Sequence, residues 1–195
     1  MNIILASKSP RRTEILSMLG VKHIIIPSQE EEIIDRQLTP DEIVKSLAYQ
    51  KAYSIAKEHH EDLVIGSDTI VVVNNEILGK PKDKIDAIRM FELLQNNTHQ
   101  VMTGVSLIKG ELVDTFVDIA DVTFKQMTKE EIENYLDSAL PYDKAGAYGI
   151  QDKEANFVEK IEGDYYTIMG LPKEKLQKHL QKFMWKHFHN LNNAI

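Results

Sequence analysis

Apolar positions along this chain recur at two periods, and the period switches every ten to fifteen residues or so. Residues 2–6 form a short apolar run that predicts a strand. Ser9 and Pro10 then stand where a helix N-cap and first helical residue belong. Ile15, Leu16 and Leu19 follow at helical spacing, and Gly20 stops the helix. Residues 23–27 read as a second strand, followed by an acidic, irregular loop over 28–38. Thr39-Pro40-Asp41-Glu42 is a capping box that opens a helix to about Glu58. Residues 63–73 are apolar except for Gly66-Ser67-Asp68-Thr69, and Asn74-Asn75 turns the run into a hairpin partner ending near Leu78.

The same punctuation continues. Asp83 opens a helix through Leu94, and 99–108 and 112–124 are long strands joined at Lys109-Gly110-Glu111. Thr128 with Glu131 is a second capping box, for a helix to about Ser138. A loop over 143–151 follows, then a short strand over 157–161 and a short turn or helix over 164–169. Leu171-Pro172 leads into a last helix, where Leu176, Leu180, Phe183 and Met184 recur opposite Lys173, Lys175, Lys178, Lys182 and Lys186. That pattern predicts a surface helix with a basic face. Strands and helices alternate, which predicts an α/β chain, and the long antiparallel pairs argue against a purely parallel sheet. No repeat, low-complexity tract or linker interrupts it.

Composition narrows the classes. A chain of 195 residues makes one domain or two small lobes with a substantial core. There is no run of about 18 apolar residues, so no membrane-spanning helix is expected. The start lacks the regions of a signal peptide. Zero cysteines exclude disulfides and thiol catalysis, and a net charge of −7 argues against broad nucleic-acid binding. The cytoplasm is the expected location, with neither nucleic acid nor membrane as a partner; a homodimer is left open.

Four clusters carry candidate chemistry. The first is the strand-to-helix turn Ser7-Lys8-Ser9-Pro10-Arg11-Arg12. A helix N-terminus is already partly positive, so two arginines in its first turn are electrostatically misplaced unless an anion comes. Free N–H groups, hydroxyls and two guanidiniums suit a phosphate, against the plainer reading of a solvated pair. The second is Asp68, whose place in an apolar strand demands pairing, hydrogen bonds or a metal. It is either a structural carboxylate or a metal ligand or general base. The third, Glu30-Glu31-Glu32, is a solvated acidic loop or a source of hard oxygen ligands for Mg²⁺ or Mn²⁺. Lys51, and Lys80 between Gly79 and Pro81, are surface residues or point charges aimed at phosphate. The fourth is the 143–151 loop, whose small residues permit close approach and whose Gln151 can offer donors and an acceptor to a nucleobase edge. Neither common glycine-rich phosphate fingerprint occurs.

Taken together, Ser7-Lys-Ser-Pro-Arg-Arg12, Glu31-Glu32, Lys51, Gly66-Ser-Asp-Thr69, Gly79-Lys-Pro81, the 143–151 loop and Gly163-Asp-Tyr-Tyr-Thr-Ile-Met-Gly-Leu-Pro172 resemble, in order and spacing, the Maf family of nucleoside triphosphate pyrophosphatases. The resemblance covers residues 3 to about 172. It implies one Maf-like domain over 1–195, with a tail at 188–195. The implied fold is similar to the inosine-triphosphate pyrophosphatases: two α/β lobes with a mixed sheet and a cleft between them. Carried over by position, Asp68 is the proton acceptor. Ser7, Arg12, Glu32, Lys51 and Lys80 are the phosphate and metal shell, with Glu31 the alternative to Glu32. Arg11, Thr69 and Gln151 are the specificity positions. A divalent cation, Mg²⁺ or Mn²⁺, is the implied cofactor, held by Asp68 and Glu32. Ser-Pro-Arg-Arg, Asp-Thr and Gly-Ile-Gln resemble the branch acting on dTTP and UTP rather than the 7-methyl-GTP branch. The implied role is housecleaning of the nucleotide pool. A non-catalytic nucleotide sensor in cell division is the rival class, disfavoured by the presence of Asp68 and both lysines.

Overall fold

The computed structural model describes the backbone of residues 1–192 and side chains through Lys186. Residues 193–195 of the expected 188–195 tail lie outside the described residues. Among the described residues the chain is a mixed α/β fold with a sheet of seven strands, ordered β2-β1-β3-β5-β6-β7, with β4 paired to β3. The strands are β1 (Ile3–Leu5), β2 (Ile24–Ile25), β3 (Leu63–Val73), β4 (Glu76–Leu78), β5 (Thr98–Lys109), β6 (Leu112–Phe124) and β7 (Val158–Glu162). The helices are α1 (Pro10–Met18), α2 (Pro40–Ala56), α3 (Lys84–Leu94), α4 (Lys129–Ala139), α5 (Tyr165–Met169) and α6 (Lys173–Asn192). The chain divides into two compact units, and β3, β5 and β6 contribute to both.

The first unit is Met1–Asp68, Thr103–Asp118 and Gly170–Ile195. Here β1 lies parallel to β2, Ile4 opposite Ile24, and parallel to the start of β3, Ile4 opposite Val64. Parallel neighbours need crossovers, and the α1 and α2 segments supply them. The 23–27 strand is shorter than its sequence suggests: only Ile24 and Ile25 pair, and both are exposed at the sheet edge. Ile4, Ala6, Ala52, Ala56, Val64 and Ile108 form one buried cluster of this unit. On α6, Leu176 and Phe183 are buried, as the periodicity predicts. Its basic face is not wholly solvated, because Lys175 donates to the Val117 carbonyl at 2.7 Å and reaches Asp118 at 3.1 Å.

The second unit is Thr69–Met102 and Ile119–Met169. Asn74 and Asn75 both take positive φ, 49° and 64°, the conformation a tight two-residue hairpin requires, and Val72 pairs with Ile77 across it. The Asp83 side chain accepts from the Asp86 N–H at 2.8 Å, capping α3. In the capping box of α4, Thr128 N–H donates to Glu131 at 2.7 Å and the Glu131 N–H returns to Thr128 Oγ1 at 3.2 Å. The core is aromatic: Phe157 packs edge-on against Phe91, Phe124 and Tyr135, with centroids 4.7–5.3 Å apart.

His99 is enclosed in this aromatic core. Its Nε2 lies 2.8 Å from the Tyr148 hydroxyl, its ring meets Phe124 edge-on, and its Nδ1 is buried without a partner. Burial pushes its pKa down to about 3, so the ring is neutral in the folded protein. The unfolded chain takes up a proton near pH 6.5, so it binds more protons than the native state from there down to about pH 3, and stability falls as pH drops through that window. At pH 5 this residue alone costs about 2 kcal/mol. Urea unfolding at pH 8 and pH 5 should therefore show a smaller stability loss in His99→Gln than in the unmodified protein. An equal loss in both would contradict a neutral buried His99.

Candidate active site

Two glycines decide where the charged residues of the first unit meet. A Cβ on Gly66 would lie 2.3 Å from the Ala48 carbonyl oxygen and 2.6 Å from the Ala52 nitrogen. One on Gly104 would lie 2.3 Å from the Val44 oxygen. Helix α2 thus rides against the bare backbone of β3 and β5, closer than any side chain would permit. Strand periodicity puts Asp68 on the same face as Gly66. Lys51, adjacent to Ala52, forms an ion pair with Asp68 Oδ1 and lies 3.1 Å from Glu32 Oε1. The Lys51 and Asp68 side chains are each only 16% exposed, so their pairing is shielded from bulk water.

Glu32 is delivered by a loop laced along α2. The Gln50 carboxamide grips Ile33 by both backbone groups: Ile33 N–H donates to Oε1 at 2.9 Å and Nε2 donates to the Ile33 carbonyl at 2.9 Å. Glu30 pairs with Lys57, and the Ser54 hydroxyl donates to Ser28 Oγ at 2.8 Å. The acidic run therefore splits three ways, with Glu30 on Lys57, Glu32 on Lys51 and Glu31 exposed. Gln50 carried no signal in the sequence, since a glutamine in a helix is ordinary and its partner is backbone.

The turn before α1 belongs to the same unit. Ser7 Oγ accepts from the Ser9 N–H at 3.2 Å and from Arg12 Nη1 at 2.9 Å, while Arg12 Nε donates to the Gly170 carbonyl at 2.9 Å. Ser9 occupies the N-cap position without a side-chain cap, because this turn is organised by Ser7 instead. Desolvation lowers the Arg12 pKa, with Arg11 adding to the lowering, while the fields of Asp68 and Glu32 oppose it. Arg12 is thus electrostatically coupled to both carboxylates. Ser67, fully buried, places its hydroxyl 3.0 Å from both the Gly104 and Gly170 carbonyls, tying β3 to β5 and to the segment that holds Arg12. Sequence reasoning marked the Gly66–Thr69 motif but missed the parts played by Ser67 and the Gly170 carbonyl.

The structure therefore gathers Ser7, Arg12, Glu32, Lys51 and Asp68 into one network, with Arg11 half-buried on α1 beside it. Thr69, Lys80 and Gln151 are carried by the second unit. Thr69 is half-buried on β3, and Lys80 is exposed in a bend. The Gly79 carbonyl accepts from Gly146 N–H at 3.0 Å, which ties the Lys80 bend to the 143–151 loop. Gly146 has φ +69°, and a Cβ there would meet Val71 at 3.0 Å, so the loop needs glycine twice over. Gln151 is exposed, and its Nε2 donates to Asp152 at 3.1 Å.

Among the described residues no group of three or more His, Cys, Asp or Glu side chains is arranged to hold a metal ion. Asp68 and Glu32 do converge on one ammonium. Two carboxylates on one point fit a hard divalent cation whose remaining positions go to phosphate oxygens and water, which is how Mg²⁺ is commonly held.

Solved structures share this architecture. A HAM1 protein from Coxiella burnetii superposes with a TM-score of 0.54 over 93% of this chain and 99% of its own, at 13% identity, a likeness of fold alone. The family is defined more sharply by sequence. Residues 2–183 match the family model described as Maf-like protein, and the chain belongs to the Maf family. A dTTP/UTP pyrophosphatase of Bacillus cytotoxicus is 47% identical over 180 residues, 92% of this chain and 94% of that one. A dTTP/UTP pyrophosphatase of Bacillus anthracis is 48% identical over 181 residues, 93% of this chain and 95% of that one.

If the bare backbone at Gly66 sets the seat of α2, Gly66→Ala should cost about 1–3 kcal/mol or more, since backbone rather than a flexible side chain must move. Gly79→Ala is the control for stability, with nothing within 4 Å of its added methyl and no positive φ. Equal urea midpoints for the two variants would contradict the close approach.

Proposed function

We propose that this Maf-family chain hydrolyses UTP and dTTP between the α and β phosphates, giving the monophosphate and pyrophosphate. The observation that carries the reading is the Lys51 ammonium set between Asp68 and Glu32 in the field of Arg12. Relatives at 47–48% identity over more than nine-tenths of the chain, named dTTP/UTP pyrophosphatases, support both the enzyme class and the substrates.

In this reading Asp68 accepts the proton of the attacking water, whose oxygen bonds to the α phosphorus as the α–β anhydride bond breaks. The leaving pyrophosphate gathers negative charge, which Arg12 and Lys51 offset; Lys80 is assigned the same part by its place in the family pattern. Ser7 orients Arg12. Asp68 and Glu32 would hold Mg²⁺ or Mn²⁺, which supplies Lewis-acid polarisation of a phosphate oxygen when bound. Lys51 also offsets the carboxylates' repulsion of a polyphosphate. Arg11, Thr69 and Gln151 read the base, by their place in the family pattern. Modified uridine triphosphates with a small 5-substituent belong to the same substrate class, because thymine already carries a methyl there. Such an activity suits clearance of unwanted triphosphates from a cytoplasmic nucleotide pool.

Pyrophosphate release measured on UTP, dTTP, CTP and 7-methyl-GTP with Mg²⁺ or Mn²⁺ tests this. UTP and dTTP should be turned over well and CTP poorly. Chelation should abolish turnover, and Asp68→Asn should lower it by about 10²–10⁴-fold without unfolding the protein. A preference for 7-methyl-GTP, or near-normal turnover by Asp68→Asn, would overturn the assignment.

A further inference from the structure

A glutamine reading a nucleobase has an ambiguity of its own. Its carboxamide is nearly symmetric in shape, so a free side chain can turn either its oxygen or its NH₂ group to the base. Uracil and thymine present a donor at N3, where cytosine presents an acceptor. A freely flipping Gln151 would satisfy both and discriminate between neither.

In this chain Gln151 has a partner that selects one orientation. Its Nε2 donates to Asp152 Oδ1 at 3.1 Å, and an ionised carboxylate can only accept. With the amide turned round, two acceptor oxygens would face each other. Asp152 is itself fixed. Its Oδ2 accepts from the Tyr135 hydroxyl at 2.7 Å, and that hydroxyl accepts in turn from the Gly149 N–H at 2.9 Å. Tyr135 is almost fully buried on α4, and burial and the neighbouring carboxylate raise its pKa, so it remains a donor. Gly149 completes the seat: a Cβ there would lie 2.6 Å from both oxygens of Asp152. Residues from α4 and the loop after it therefore converge, within one unit, on the orientation of one exposed amide.

We propose that Asp152, locked by Tyr135 and the bare backbone of Gly149, is a positioning residue that holds the Gln151 carboxamide with Oε1 outward as a hydrogen-bond acceptor. This rests on the reading of Gln151 as a base-contacting residue. The outward oxygen accepts from N3–H of uracil or thymine. Cytosine's N3 lone pair would confront that oxygen, and a mismatch of two acceptors in a desolvated contact is costly enough to discriminate by orders of magnitude. The selection against cytosine thus comes from Asp152, which need not touch the base.

The test is kcat/KM for UTP and CTP in the full-length protein and three variants, with thermal unfolding of each. In Asp152→Asn the Tyr135 hydroxyl holds the new amide by its oxygen, so its NH₂ faces Gln151 and the glutamine is no longer held with Oε1 outward. The UTP/CTP ratio should narrow by at least about tenfold, with the metal-concentration dependence of UTP turnover unchanged. Tyr135→Phe, which removes the hydroxyl that anchors Asp152, should move the ratio the same way by less. Gln151→Glu combined with Asp152→Asn restores the pattern with the chemistry exchanged. The new amide at position 152 donates, and the new carboxylate at position 151 accepts from it while still offering an oxygen to N3–H. The double variant should therefore regain preference for UTP. A folded Asp152→Asn protein with the original UTP/CTP ratio overturns the inference while leaving the pyrophosphatase reading intact. Unmodified protein that cleaves neither nucleotide overturns that reading, and this inference with it.

Discussion

The first unit depends on the absence of two side chains. Gly66 and Gly104 leave β3 and β5 without Cβ atoms where α2 crosses them, and the helix backbone fills that space at distances no other residue would allow. Everything charged follows from that seat. Lys51 reaches Asp68 only because Ala52 lies against Gly66, and Glu32 reaches Lys51 because its loop is laced to α2 through Gln50, Ser54 and Lys57. The arrangement stores two carboxylates and an ammonium with little exposure for Lys51 and Asp68, where their interaction is stronger than at an open surface. In the proposed reading, a polyphosphate with its cation exchanges partners with this prearranged set rather than assembling it from mobile side chains.

Much of this was legible in the sequence. Turn and cap chemistry placed the helices well: Asp83 and the Thr128/Glu131 box are caps in the structure, and Asn74-Asn75 is the tight turn it promised. Those signals are local, and local geometry satisfies them. The two arginines of the first helical turn stood out for the same reason, because electrostatics at a helix N-terminus can be judged without tertiary structure. What could not be read were long-range backbone partners. Ser9 looked like a cap by type, yet Ser7 organises the turn, since Arg12 is held between Ser7 Oγ and the distant Gly170 carbonyl. Gln50 and Ser67 act on carbonyls and amides whose positions no side-chain pattern encodes. The second strand was overread because apolar residues at 24–26 suit a strand, while only two of them pair at the edge.

The second unit has a different core. Its core is aromatic, and hydrogen bonds tie the loops it carries: Gly146 to Gly79, Gly149 to Tyr135, Tyr135 to Asp152. Neutral His99 belongs to that pattern, since a charge in the same place would have no counter-ion among its described neighbours. Fixed, directional donors and acceptors are what recognition of a base edge requires, whereas phosphates need fixed charge.

If the Lys51–Asp68–Glu32 set directs water to the α phosphorus of a nucleoside triphosphate, hydrolysis of UTP in ¹⁸O-labelled water reports it directly, because the label marks the bond broken. The predicted result is one labelled oxygen in uridine monophosphate and none in pyrophosphate. Label in pyrophosphate, or release of uridine diphosphate and inorganic phosphate, would contradict it.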